Sequence, residues 1–285
     1  MTKNSLSFFG SIVLLTVFLF SSCQKIEYPG ISSTTSAEYQ YGQFIWHDLV
    51  TPNPEQSMKF YGDLFNWTFK NLGDEKNPYH VIYNNGKPIG GIIGLTGTNQ
   101  KRGEWLSSIS VPDVDKAVSY NLQKGGKTMM DAKNYPGRGR AALVQDPQGA
   151  YISFVNSSTG DPALENSFNS WLWNELWTSD MDASIGYYQG LVPYQPEKVT
   201  NNNVPYTLFK KGDQKLSGIM QNPVDNMRSA WVPYIRTNEV EGTVAKASSL
   251  GASILLQPSE AIRNNTVAII QDPIGAPFAI QIWNN

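Results

Sequence analysis

The stretch FIWHDLVTPNPEQSMKFYGDLFNW, residues 44–67, returns as WLWNELWTSDMDASIGYYQGLVPY at residues 171–194. Laying one on the other pairs Trp46 with Trp173, His47 with Asn174, Asp48 with Glu175 and Tyr61 with Tyr188, all 127 positions apart. Downstream, ALVQDPQGAYISFVN from Ala142 meets AIIQDPIGAPFAIQI from Ala268 at an offset of 126. Between these blocks Pro78–Tyr79 answers Pro205–Tyr206, Gly91 answers Gly218, and Trp105 answers Trp231. An offset this constant across two long blocks is the mark of a tandem duplication. The expected organisation is one domain over 43–156, a polar linker over 157–169 containing Gly and Pro, and a second domain over 170–285.

Within one copy the periods are legible. FIWHDLVT alternates as a strand, placing Ile45, His47 and Leu49 on one face and Trp46, Asp48 and Val50 on the other. NPEQSMKFYGDLFN carries Met58, Tyr61, Leu64 and Phe65 at helical spacing, and Pro54 suits a first turn. YHVIYNNG and KPIGGIIGL flank an Asn-Asn-Gly turn and predict a hairpin. The pattern then restarts with strand WLSSISVPD, helix VDKAVSYNLQKGG closed by glycine, and strands GRAALVQD and AYISFVN around a DPQG turn. Each copy thus predicts two β-α-β-β-β units, and the chain four.

Composition bounds the function. At 285 residues, 40% hydrophobic and 16% charged, the chain has material for two packed cores. A net charge of −2 without a basic cluster leaves nothing to neutralise phosphates, so nucleic acid is not an expected partner. The N-terminus reads differently: Lys3, then an apolar run too short to span a bilayer comfortably, then Phe20-Ser21-Ser22-Cys23. This layout resembles a bacterial lipoprotein signal. The expectation is a signal peptide over 1–22, a lipid on Cys23, and a flexible tether over 23–42 holding the protein to a membrane of the cell envelope. Cys23 is the one cysteine, so disulfides and thiolate chemistry are not expected of the mature body.

The four units, with VPDVDKAV opening one helix and DPxGA before each last strand, resemble the vicinal oxygen chelate superfamily of glyoxalases, bleomycin-resistance proteins and extradiol dioxygenases. The resemblance implies an α+β fold of two tandem glyoxalase-like domains with curved mixed sheets and outer helices. It also implies a concave cleft in which enzymes of the family hold a divalent metal with His, Gln or Glu from the first and fourth strands of each unit. His47 stands on a first strand. The other seats read PIGGIIGL, Leu106 to Ser108, and Ser153; in the second copy they read Asn174, KLSGIM, Val232 to Tyr234, and Ala279.

One imidazole does not make a metal site. The expectation is therefore no cofactor, with His47 and Asn174 facing a cleft that binds a small, partly apolar or aromatic molecule. A metal ligand and a structural histidine remain alternatives for His47. Asp48 and Glu175 are candidate general bases or, alternatively, rim carboxylates accepting local hydrogen bonds. Trp171, Trp173 and Trp177 are read as sharing one strand face. Three functions follow: a metal-free binding protein, a lyase or oxygenase with an unconventional site at His47 or a metal-free isomerase, and an envelope interaction scaffold.

Overall fold

The structure, a computed structural model, describes residues 28–32, 38–74, 77–95, 101–163, 167–201, 204–223 and 228–283. The signal peptide and Cys23 lie outside the described residues. The first half runs β1 (Phe44–Thr51), α1 (Pro54–Phe65), β2 (Thr68–Asn71), β3 (Tyr79–Asn84), β4 (Lys87–Gly94), β5 (Glu104–Ser110), α2 (Val114–Gln123), β6 (Lys127–Tyr135), β7 (Gly139–Gln145) and β8 (Tyr151–Ser157). The second half repeats it: β9 (Trp171–Thr178), α3 (Met181–Leu191), β10 (Gln195–Asn201), β11 (Val204–Lys211), β12 (Gln214–Gln221), β13 (Ala230–Arg236), α4 (Val240–Ser249), β14 (Ser253–Leu256), β15 (Val267–Gln271) and β16 (Pro277–Gln281).

Each half forms its own eight-stranded curved sheet, ordered β2-β3-β4-β1-β5-β8-β7-β6 and β10-β11-β12-β9-β13-β16-β15-β14. Two units meet in each sheet through an antiparallel seam, β1 with β5 and β9 with β13. The units therefore pair within halves. The α+β architecture of four β-α-β-β-β units is the one the repeat predicts. Each helix starts on a side-chain cap: Asn53, Asp113, Asp180 and Glu239 accept from the backbone N–H three residues on. The Asn85–Gly86 turn has positive φ at both residues, as a tight hairpin requires. Strands β2 and β6 carry no alternation in sequence because both are mostly exposed at sheet edges.

The helices lie on the convex face of each sheet, and the two convex faces pack together. One core joins Leu49, Tyr61 and Phe65 to Val244, Ile270 and Phe278; the other joins Ile109, Val144 and Phe154 to Tyr188, Phe209 and Ile219. Polar contacts obey the same exchange. Tyr61 donates to Asp272 at 3.0 Å and Tyr188 to Asp146 at 2.7 Å, so each half's DPxG aspartate accepts a phenol from the other half's helix. The same aspartates accept the N–H groups of Ala150 and Ala276, which sets the turn. With the convex faces consumed, the concave faces point outward.

The segment expected to be a flexible tether is docked where it is described. Ile31 is buried, Tyr28 N–H donates to Pro136 O at 3.1 Å, and Gln40 N–H donates to Asp161 at 2.7 Å. Its Tyr and Ile side chains find apolar and aromatic partners on the first domain, which its small polar neighbours conceal in sequence.

Candidate ligand clefts

Strand alternation says which side chains share a face, but not which face is concave. Leu49 points to the helices, so His47 does too. His47 is buried at 1% exposure, stacked on Trp171 with ring centroids 4.1 Å apart, and bonded from Nε2 to Asn174 Oδ1 at 3.1 Å. Ser107 donates to the same Asn174 oxygen at 2.9 Å. His47 and Asn174 thus meet each other across the join between the two halves rather than on the floor of either large cleft, and His47 borders only a small cavity of about 90 Å³. With Asn174 Oδ1 accepting, Nε2 carries the proton, and Nδ1 is buried without a partner. Burial, opposed only by the Asn174 bond, lowers the His47 pKa to about 3, so the ring is neutral.

A bulge explains the tryptophans. On β9 the register steps from Trp173 to Trp171 while β13 advances one residue, leaving Leu172 extra; on β1 Ile45 is extra in the same way. Trp171 therefore joins the convex core, whereas Trp173 and Trp177 line the concave side. The face shared by all three in the sequence reading is split by that one residue.

The concave faces hold the acids. Asp48 opens onto a first cleft of about 430 Å³ together with Tyr28, Tyr79, Ser108, Tyr135 and Arg138. Glu175 stands in a second cleft of about 550 Å³ with Trp177, Tyr206, Met220, Tyr234 and Arg263. Both acids are mid-strand on the cleft floor rather than at a strand rim, and both accept local hydrogen bonds. In the first, Asp48 Oδ1 accepts from Trp46 Nε1 at 3.0 Å and Tyr79 OH at 3.1 Å, and Arg138 Nη2 donates to Tyr79 OH at 3.0 Å. In the second, Glu175 accepts from Trp177 Nε1 at 3.0 Å and from Tyr234, Tyr206 and Arg263, each at 2.7 Å.

Electrostatics follow from this burial. Burial raises the pKa of Asp48, with Arg138 and the Trp46 and Tyr79 bonds opposing it. Burial and then the Glu175 charge push Tyr206 and Tyr234 well above the usual phenol range, so both remain donors. Burial weighs most against the Arg263 cation, but Glu175 together with Tyr234 and Tyr206 outweighs it and raises the guanidinium pKa.

The acid, tyrosine and arginine of each cleft form a repeated cluster. Tyr79 and Tyr206 were visible as a repeated pair. Arg138 and Arg263 were missed because they stand 125 positions apart, out of step with the surrounding offset.

A divalent metal does not fit these donors. Beside Asp48 on the concave face are Gly91 on β4, Leu106 and Ser108 on β5, and Ser153 on β8. A side chain at Gly91 would collide with Asp48 Oδ1 and the Tyr79 hydroxyl, and one at Gly218 with the Tyr206 hydroxyl. Glycine at this seat is what lets tyrosine reach the acid. Both oxygens of Glu175 are taken, one by a guanidinium that would repel a dication. Among the described residues no three His, Cys, Asp or Glu side chains converge.

Known proteins place this architecture. A sequence model described as Glyoxalase/Bleomycin resistance protein/Dioxygenase superfamily matches residues 43–154. CFP32 of Mycobacterium tuberculosis, named as a candidate glyoxylase, is 29% identical over 257 residues, 86% of this chain and 96% of its own. The anthracycline biosynthesis protein DnrV of Streptomyces peucetius is 24% identical over 82% of this chain and 91% of its own. In fold, the chain resembles the Mn(II)-bound glyoxalase from Novosphingobium aromaticivorans, with a TM-score of 0.58 at 11% identity over 86% of this chain and 83% of that one. It also resembles a variant of homoprotocatechuate 2,3-dioxygenase from B. fuscum, with a TM-score of 0.59 at 13% identity over 92% and 75%. Residues 43–154 thus match the glyoxalase superfamily model, the chain as a whole is similar in fold to proteins of that architecture, and its second half repeats the fold of the first.

Proposed function

We propose that the protein binds a small, partly apolar or aromatic molecule in its concave clefts without a metal, and that a lipid on Cys23 anchors it in the bacterial cell envelope. One observation carries the binding reading: the cleft floors are built from acid, tyrosine and arginine, with glycine where the family's chemistry calls for a ligand to metal. The walls suit such a guest. The second cleft is mostly apolar, with Met220, Leu256 and Ile269 beside its aromatic rings, and exposed Val204, Leu255 and Ile262 stand at the same cleft. A relative that takes part in anthracycline biosynthesis is consistent with a planar aromatic guest.

The test is metal analysis of protein purified without chelators, together with titration of a planar aromatic probe followed by tryptophan fluorescence. Probe binding that chelators leave unchanged supports the proposal; a stoichiometric metal whose removal abolishes binding overturns it. Absence of any probe binding would favour the envelope scaffold instead. Mass spectrometry of the envelope form for a lipid on Cys23 tests the anchor. A second reading, metal-free proton transfer, is favoured by the raised pKa of Asp48 in a cleft. A lyase or oxygenase built on His47 is the weaker reading, since that ring is buried against Trp171 and borders only a cavity of about 90 Å³.

A further inference from the structure

The partners of the two cleft acids differ by one phenol, and that difference points to what the first cleft takes. In the second cleft Tyr234 of β13 donates to Glu175 Oε1. Tyr234 pairs with Trp173 across the seam and with Ala279 on β16. The residue in the same register seat of the first half, opposite Trp46 and beside Ser153, is Ser108. The first cleft thus has the acid, the arginine and one phenol, Tyr79, but lacks the second phenolic partner.

The consequence is visible at the acid. Asp48 Oδ2 receives no hydrogen bond from the described residues, and the nearest cation, Arg138 Nη1, is 3.9 Å away. That is too long for a direct bond and about right for one oxygen in contact with both. Neither group is free to close the gap. Asp48 is fixed through Oδ1, while Arg138 is pinned by its Tyr79 bond and lies 4.0 Å over the Trp46 ring. Tyr79 shows the chemistry on the adjacent side, where its single hydroxyl donates to Asp48 Oδ1 and accepts from Arg138 Nη2. Arg138 is also short of partners, with its buried Nε unbonded.

We propose that the first cleft recognises an aromatic hydroxyl of its ligand, which donates to Asp48 Oδ2, accepts from Arg138 Nη1, and fills the role that Tyr234 fills in the second cleft. The proposal rests on the reading of the cleft as a ligand site. It gives that site a ligand class, phenols and their polycyclic relatives. It also assigns the site to the first half, because in the second Arg263 bonds Glu175 directly and Tyr234 completes the shell. Tyr28 and Tyr135, edge-on at 5.5 Å, supply aromatic wall for the ring that carries the hydroxyl.

The test compares 1-naphthol with 1-methoxynaphthalene on the full chain, using calorimetry and tryptophan quenching. A hydroxyl bonded to a charged acceptor is expected to bind about 10-fold or more tightly than the ether that cannot donate. Ser108→Tyr installs the missing phenol and should abolish this preference. Asp48→Asn is the second variant should the first not fold, and it should bring naphthol down to the level of the ether. Equal binding of the two probes by the wild type, or a preference that survives either folded variant, overturns the inference while leaving the cleft a binding site. Failure of both probes to bind at all removes the underlying reading and the inference with it.

Discussion

Strands Phe44–Thr51 and Trp171–Thr178 are copies of one sequence, share the same bulge, and put an acid at the same seat on a concave face. Yet Glu175 is 1% exposed with four donors on its two oxygens, whereas the Asp48 side chain is 17% exposed with one oxygen unbonded. Their neighbours at positions 47 and 174 have moved in the opposite direction, from equivalent seats to a direct bond with each other. Duplication lets one copy become scaffolding while the other retains an open polar group. A buried acid with every lone pair satisfied holds a domain together; the same acid with a vacancy can greet a guest.

The largest way to break this comparison is to neutralise both acids. Glu175→Gln leaves Arg263 facing a neutral amide and loses acceptors for buried donors, and should cost about 3–5 kcal/mol in chemical denaturation. Asp48→Asn keeps an oxygen for Trp46 and Tyr79 and should cost about 1 kcal/mol. Equal losses would mean that the two clefts are energetically alike and that the open oxygen has no significance.

The His47–Asn174 contact gives a pH signature. Unfolded histidine titrates near 6.5 and folded His47 near 3, so the unfolded state binds the extra proton throughout that interval. Stability therefore falls as pH drops from 6.5 towards 3 and levels below, with about 3 kcal/mol lost by pH 4. His47→Gln has no proton to take up, so its difference from wild type should shift in its favour by that amount between pH 7 and pH 4. A pH-independent difference would place the ring in solvent contact and undo the sealed join.

A smaller effect isolates the missing phenol. Tyr234→Phe removes one bond to a buried carboxylate and should cost about 2 kcal/mol. Ser108→Ala, at the equivalent seat, removes a hydroxyl with no hydrogen bond among the described residues and should change stability by about 0.5 kcal/mol or less. Thermal or urea unfolding of the two variants distinguishes a seat that is filled from one that is vacant.

Much of this architecture was legible in the residues. The constant offset exposed the duplication, and helical and strand periods in the first copy marked its two helices and most of its strands, which the repeat carried to the second, because those segments bury one face and expose the other. The sites were less legible for three physical reasons. Alternation put His47 with Leu49 correctly but could not say that their shared face meets another domain. One bulged residue, Leu172, turned Trp171 away from Trp173. Arg138 and Arg263 come from connections outside the steady register, so the cluster that defines each cleft is assembled from three chain segments, only two of which kept step.

The smallest expected effect on stability concerns a feature that only the first half possesses. Tyr28 meets Tyr79 edge-on at 4.9 Å and lies 5.4 Å from the Arg138 guanidinium, so it partly roofs the first cleft. Its side chain is half-buried and makes no side-chain hydrogen bond among the described residues, which bounds its contribution to folding. Tyr28→Ala should leave unfolding within about 0.5 kcal/mol of wild type. The same change removes aromatic wall and opens the mouth, so naphthol should enter and leave the first cleft faster while its affinity weakens. Stopped-flow quenching reads both rates. Unchanged rates would show that the segment only decorates the domain; faster exchange would show that a stretch preceding the duplicated body controls access to the one cleft whose acid is still open.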